Sequence, residues 1–123
     1  MPDKVDIAEK LASFEERWAP RIVAELNGQH VRLARLEGAF SWHAHADADE
    51  LFLVLEGAFD LELRDRVVHL ERGELFVVPR GVEHRPVAPE PCTVLLFEPA
   101  EVETAGDSDD PRGLGPDGIQ PLS

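Results

Sequence analysis

Between residues 21 and 97 the chain alternates short apolar runs with turn-forming residues, and nothing between the runs is long enough to be a crossover helix. The runs span 22–26, 31–36, 42–45, 51–55, 59–63, 67–70, 75–78 and 93–97. Between them lie Asn27-Gly28, Gly38, Gly57, Arg64-Asp65, Arg72-Gly73, Pro79-Arg80-Gly81 and Pro89-Glu90-Pro91. Parallel strands need crossovers of a dozen residues or more. Short strands at regular spacing therefore predict an antiparallel sandwich or barrel. Asn-Gly is itself a strong hairpin signal.

The flanks read differently. Residues 5–18 predict one short helix, because Ile7, Leu11, Phe14 and Trp18 recur on one face. Asp6 suits its N-cap and Pro20 its end. Residues 101–123 are rich in Gly, Pro, Asp and Ser and read as a loosely held acidic tail. The expected organisation is thus a helix in 1–20 packing on a β-domain of 21–100, followed by that tail.

The formal net charge is −13. Nucleic acid is excluded as a partner on this reading, since phosphates call for clustered Lys and Arg. An anionic membrane surface is disfavoured for the same reason. No apolar window approaches transmembrane length, and the first ten residues lack the apolar core of a secretion signal, so a cytoplasmic location is expected. The single cysteine, Cys92, precedes an apolar run and reads as a buried structural thiol.

Two stretches carry chemistry. The first is Gly38-Ala-Phe-Ser-Trp-His43-Ala-His45-Ala-Asp-Ala-Asp-Glu50, ending at Gly57. Residues two apart on a strand share a face, so His43 and His45 project together. Glu50 opens the next run and would return its carboxylate towards them. The second stretch runs from Gly73 through Pro79-Arg80-Gly81 to His84. A strand that ends at Pro79 and re-enters with His84 would deliver a third imidazole. Imidazoles with one carboxylate suit Fe, Mn, Ni, Zn or Cu. Such a set leaves coordination positions open for water or substrate. A closed structural zinc site would more often use thiolates, which are absent.

At these residues the chain resembles the small single-domain members of the cupin superfamily. His43, His45, Glu50 and Gly57 follow the order and spacing of that family's first motif from the histidines onward. Gly73, Pro79, Gly81 and His84 follow its second. Gly38 stands one residue closer to His43 than usual, and Ala88 replaces a frequent Asn. Neither departure touches a ligand position. The resemblance implies an all-β antiparallel jelly-roll barrel and one divalent transition-metal ion held by His43, His45, Glu50 and His84. It does not select a reaction, because a shared fold hosts many activities.

Two functions fit. One is a metal-dependent enzyme, dioxygenase-like or isomerase/lyase-like, acting on a small polar metabolite. The other is a non-enzymatic module that binds or senses a small ligand with a structural metal. Arg35, Arg80 and Arg85 are the basic residues expected near the barrel mouth. Trp42 should face away from the ligands, His69 should lie on a strand surface, and Asp47 and Asp49 should sit in the turn between ligands. The run 51–55 is apolar on both faces, so its outer face needs a cover. The N-terminal helix, a second copy in a homodimer, or both would supply it.

Overall fold

Asn27 and Gly28 both take positive φ, 51° and 75°. That is the backbone of a two-residue hairpin whose twist matches its strands. In a computed structural model, which describes residues 3–122, this hairpin joins β1 (Arg21–Leu26) to β2 (Gln29–Ala39). The remaining strands are β3 (Glu50–Glu56), β4 (Ala58–Leu63), β5 (Val67–Glu71), β6 (Leu75–Val78) and β7 (His84–Pro99). All strand pairs are antiparallel. One path runs β1-β2-β7-β3-β6, and β4 joins β7 to β5.

The long strand β7 serves both halves of this jelly roll. Its first part, His84–Val87, pairs with β4, and its second, Thr93–Phe97, pairs with β3. The prolines at 89 and 91, expected to separate two strands, instead sit in a bulge within one. Opposite them the β2 register moves only from Leu36 to Gly38 while β7 moves from Cys92 to Ala88. Residues in a bulge owe no ladder hydrogen bond, which is where a strand tolerates proline. Gly57 crosses from β3 to β4 at this corner. A Cβ there would lie 2.7 Å from the Pro91 carbonyl oxygen, and φ is +80°, so only glycine passes without strain.

Alternation then sorts the side chains. Phe52, Val54, Phe59, Leu61, Val94 and Leu96 are buried in the main core. Each such side chain contributes about 2 kcal/mol on burial. On the opposite face of β2, Leu33 is covered by Leu11 and Phe14, with Leu55 and Leu95 alongside. The helix supplies this cover with fewer residues than its periodicity suggests: α1 spans Ile7–Ala12. Ser13 ends it, with both its amide and its hydroxyl donating to the Lys10 carbonyl. Phe14 stays on the outer face, whereas Trp18, at φ 58°, turns in and stacks on Phe40 at 4.9 Å. One helical stripe could not serve both surfaces. No helix among the described residues is long and apolar enough to cross a membrane.

Residues beyond 100 return to the domain. Leu122 donates to Ile22 and Ile22 to Gln120 along the edge of β1. Ala105 and Ile119 are buried.

Candidate metal centre

His43 and His84 face each other across an isolated antiparallel bridge. The His43 amide donates to the His84 carbonyl at 3.0 Å, and the His84 amide donates back at 2.9 Å. The expected strand over 42–45 is therefore reduced to this single bridge. The Gly81 amide donates to the His45 carbonyl, so the turn after β6 fixes the second histidine. Glu50 enters on the first residue of β3, where alternation points it inward. All four side chains are buried, with residue exposures between 0% and 8%.

Their donor atoms lie within 4.8 Å of one another. Bonds of about 2.1 Å place opposite donors about 4.2 Å apart on a shared ion, so the set is close to bonding distance of one centre. The Nδ1 atoms of His43 and His84 stand 2.8 and 2.9 Å from the Ser41 and Val82 carbonyls. Those carbonyls accept the Nδ1 protons and leave Nε2 of each ring free, the usual way a ligand tautomer is set. His45 Nε2, His84 Nε2 and Glu50 Oε1 are buried and have no hydrogen-bond partner among the described residues. Buried polar atoms are rarely left so. Three orphaned atoms converging on one point are what a cation would satisfy.

The protonation states agree. Burial, reinforced by the nearby His84, pushes the His43 imidazole down to about 4. It is neutral at ordinary pH, as metal ligation requires. Burial alone would raise the Glu50 carboxyl, but the imidazoles of His45 and His84 outweigh it and hold Glu50 well below the usual carboxylate range. Three imidazoles and one carboxylate form a group able to bind a divalent ion.

A second carboxyl adjoins the first. Glu98 lies on β7 at 1% exposure, and burial together with the charge of Glu50 raises it well above the usual range. The two carboxyls are thus pushed in opposite directions, Glu50 down and Glu98 up. Arg32 Nη1 donates to Glu98 Oε1 at 2.9 Å. Its remaining donors go to the Val102 and Ala100 carbonyls and to His30 Nδ1. His43, Glu50, Arg32 and Glu98 line one cavity of about 40 Å³, walled mainly by Trp18, Phe40, Phe52 and Leu96.

None of the arginines expected at the mouth lines this cavity. Arg35 donates to the carbonyls of Leu11, in the last turn of α1, and of Phe14 just after it, Arg80 sits beside Asp49, and Arg85 binds Glu62. Trp42 faces out beneath the Arg64 guanidinium, and His69 is exposed beside Asp60. Asp49 accepts from the Arg80 amide and ties the ligand turn to the Pro79 turn. Cys92 is buried, and burial pushes its thiol up to about 11, so it is inert at neutral pH.

The family model described as "Cupin domain" matches residues 29–98, more than half the chain. The chain belongs to the cupin family. A cupin-2 domain protein from Shewanella frigidimarina superposes with a TM-score of 0.76 at 42% identity, covering 77% of this cupin and 93% of that chain. Protein NMB1881 from Neisseria meningitidis gives 0.73 at 30% identity, covering 79% and 99%. The protein YdbB of Bacillus subtilis (strain 168) is 33% identical over 100 residues, 80% of this cupin and 82% of its own length. Residues 101–123 of this cupin lie outside the family match.

Proposed function

We propose that this cupin is a metal-dependent enzyme that moves a proton on a small molecule bound in the barrel cavity, in the manner of an isomerase or lyase. His43, His45, Glu50 and His84 hold one divalent ion, drawn from Fe, Mn, Ni and Zn. The observation that carries the reading is Glu98, a buried carboxyl that lines the same cavity as Glu50 and is pushed above the usual carboxylate range by burial and by the charge of Glu50. A binding module has no need of such a group, whereas general acid–base catalysis does. The bound ion would polarise a carbonyl or acidify a water at a position the four side chains leave open. Arg32 fixes Glu98 by one oxygen and leaves the other free. The apolar walls exclude water and select a molecule with an apolar body and a polar head.

Two measurements test this. Elemental analysis of purified protein should give about one ion per chain, and His43→Ala combined with His84→Ala should abolish it; unchanged metal content would refute the site. Incubation of the loaded protein in D2O with a panel of small keto acids and hydroxy ketones should show deuterium entering at least one compound, with Glu98→Gln losing that exchange. Substrate-dependent oxygen uptake without exchange would instead assign a dioxygenase.

The same reading extends to assembly. Leu51 and Leu53 on β3, Phe97 on β7 and the exposed Leu75 and Val77 on the edge strand β6 share one outer face. The N-terminal segment covers only the end of it near Leu55 and Leu95. A second copy would cover the rest. Size-exclusion chromatography should give a dimer that Leu75→Glu converts to a monomer.

A further inference from the structure

The segment that bears His43 and His45 belongs to no strand, so something other than a ladder must fix its backbone. His84 and Gly81 hold it along one edge. Along the other lies the stretch after β7, outside the family match. The Ala44 amide donates to Asp107 Oδ1 at 2.8 Å, and the Asp107 amide donates to the Ala44 carbonyl at 3.1 Å. Both polar groups of the residue between the two ligands are thereby held by one aspartate. Three residues before Ala44, the Ser41 hydroxyl donates to Asp110 Oδ2 at 2.5 Å. Arg112 binds the same carboxylate and stacks over Phe40. Gly106 closes the contact. At φ +53°, a Cβ there would overlap the Ala44 carbonyl and come within 3.1 Å of His43 Cδ2.

We infer that residues 104–110 form a latch on the metal centre, in which Asp107 and Gly106 are positioning residues that keep His43 and His45 on the ion and slow its escape. The inference rests on the reading that the four buried side chains hold a metal. Ala44 is joined by peptide bonds to both histidines, so a shift of its backbone moves the two rings together. A groove of about 450 Å³ runs between this stretch and residues 44–48 and is lined by His45, Asp47, Glu101 and Asp107. The latch is one wall of that groove, and releasing it opens the side from which His45 is reached.

The test uses full-length protein loaded with Co(II), read by its visible absorption and by the rate of Co(II) transfer to a chelator. Asp107→Ala should release Co(II) at least about tenfold faster, in the range seen when groups that orient ligands are removed, with shifted absorption bands. Asp107→Asn offers the same acceptor oxygen to Ala44 and should restore the wild-type rate and spectrum. Gly106→Ala, which presses on His43, should also speed release; it decides the matter if Asp107→Ala does not fold. Wild-type release and spectra from Asp107→Ala or Gly106→Ala, even with a lowered Tm of the metal-free protein, would overturn the latch while leaving the metal site standing. Failure of the wild-type protein to take up Co(II) would overturn both.

Discussion

Two buried polar clusters touch inside this barrel, and they differ in how complete they are. Around Arg32, the guanidinium's donors are matched, reaching Glu98, His30 and two backbone carbonyls, and only Glu98 Oε2 is left without a partner among the described residues. Around Glu50, three buried ligand atoms have no partner among the described residues. Both clusters pay for desolvation, yet only the first recovers most of it from the protein alone. The first is therefore a structural device nearly completed when the chain folds. The second is arranged as a cation would complete it.

The sharpest way to break this contrast is to remove one charged member from each side. Arg32→Met should cost about 3–5 kcal/mol of metal-free stability, because it leaves Glu98, His30 Nδ1 and two carbonyls unpaired in the interior. It should leave the protein able to take up one ion. Glu50→Gln should do the reverse: metal-free stability falls less than in Arg32→Met, since Oε1 holds no hydrogen bond of its own among the described residues, and metal affinity drops by at least about 100-fold, the upper end of what ligand-orienting groups alone are worth. Chemical denaturation and metal titration of the two variants check it. Similar profiles for both would mean that the clusters do the same job.

The clusters were also unequally legible from sequence. The meeting of His43, His45, Glu50 and His84 was visible because strand parity puts His43 with His45, and because Glu50 and His84 open the next segments. Most strands were placed to within a few residues. The Arg32 cluster was missed, although period 2 held a clue. In the run 31–36, Arg32 and Arg35 have opposite parity, so one of them had to point inward, and Glu98 shares the parity of Val94 and Leu96. What parity could not supply is which face is the interior. That depends on the pairing of β2 with β7, whose partners lie 48 to 70 residues apart in sequence, and on where α1 lies. The continuity of β7 through Pro89 and Pro91 was hidden for a related reason: a bulge is defined by the partner strand, not by its own residues. The grip of Asp107 on Ala44 joins positions 63 apart and leaves no periodic trace.

Acid sharpens the contrast next. His43 is held neutral down to about 4, below the ordinary 6.5. Its contribution is therefore present above pH 6.5 and is lost as pH falls towards 4, a span worth about 3 kcal/mol. Glu98 is shifted the other way, so its contribution is full below pH 4.5 and is lost as pH rises through its own raised value. In metal-free wild-type protein the two slopes oppose between pH 4.5 and 6.5. Glu98→Gln keeps an acceptor for Arg32 and removes one slope. Denaturation of metal-free protein across pH 4 to 7 should show the variant losing stability on acidification more steeply than wild type. Parallel curves would show that Glu98 is not shifted as its burial beside Glu50 requires.

The smallest effect concerns where one cluster ends. His30 accepts from Arg32 through Nδ1 but lies at the rim of the interior, with Glu25 3.7 Å from its Nε2 and 63% exposed on its side chain. Water can replace a lost acceptor there, so His30→Ala should cost only about 1 kcal/mol. Metal affinity should not change, because the path from His30 to the ion passes through Arg32, Glu98 and Glu50 in turn, and Arg32 keeps its three other acceptors. A cycle of His30→Ala with Glu50→Gln puts a number on this. Sites without a shared partner add to within about 0.5 kcal/mol. A larger coupling would mean that Arg32 transmits strain to Glu50, and that what is drawn above as two clusters is a single network with the ion at one end.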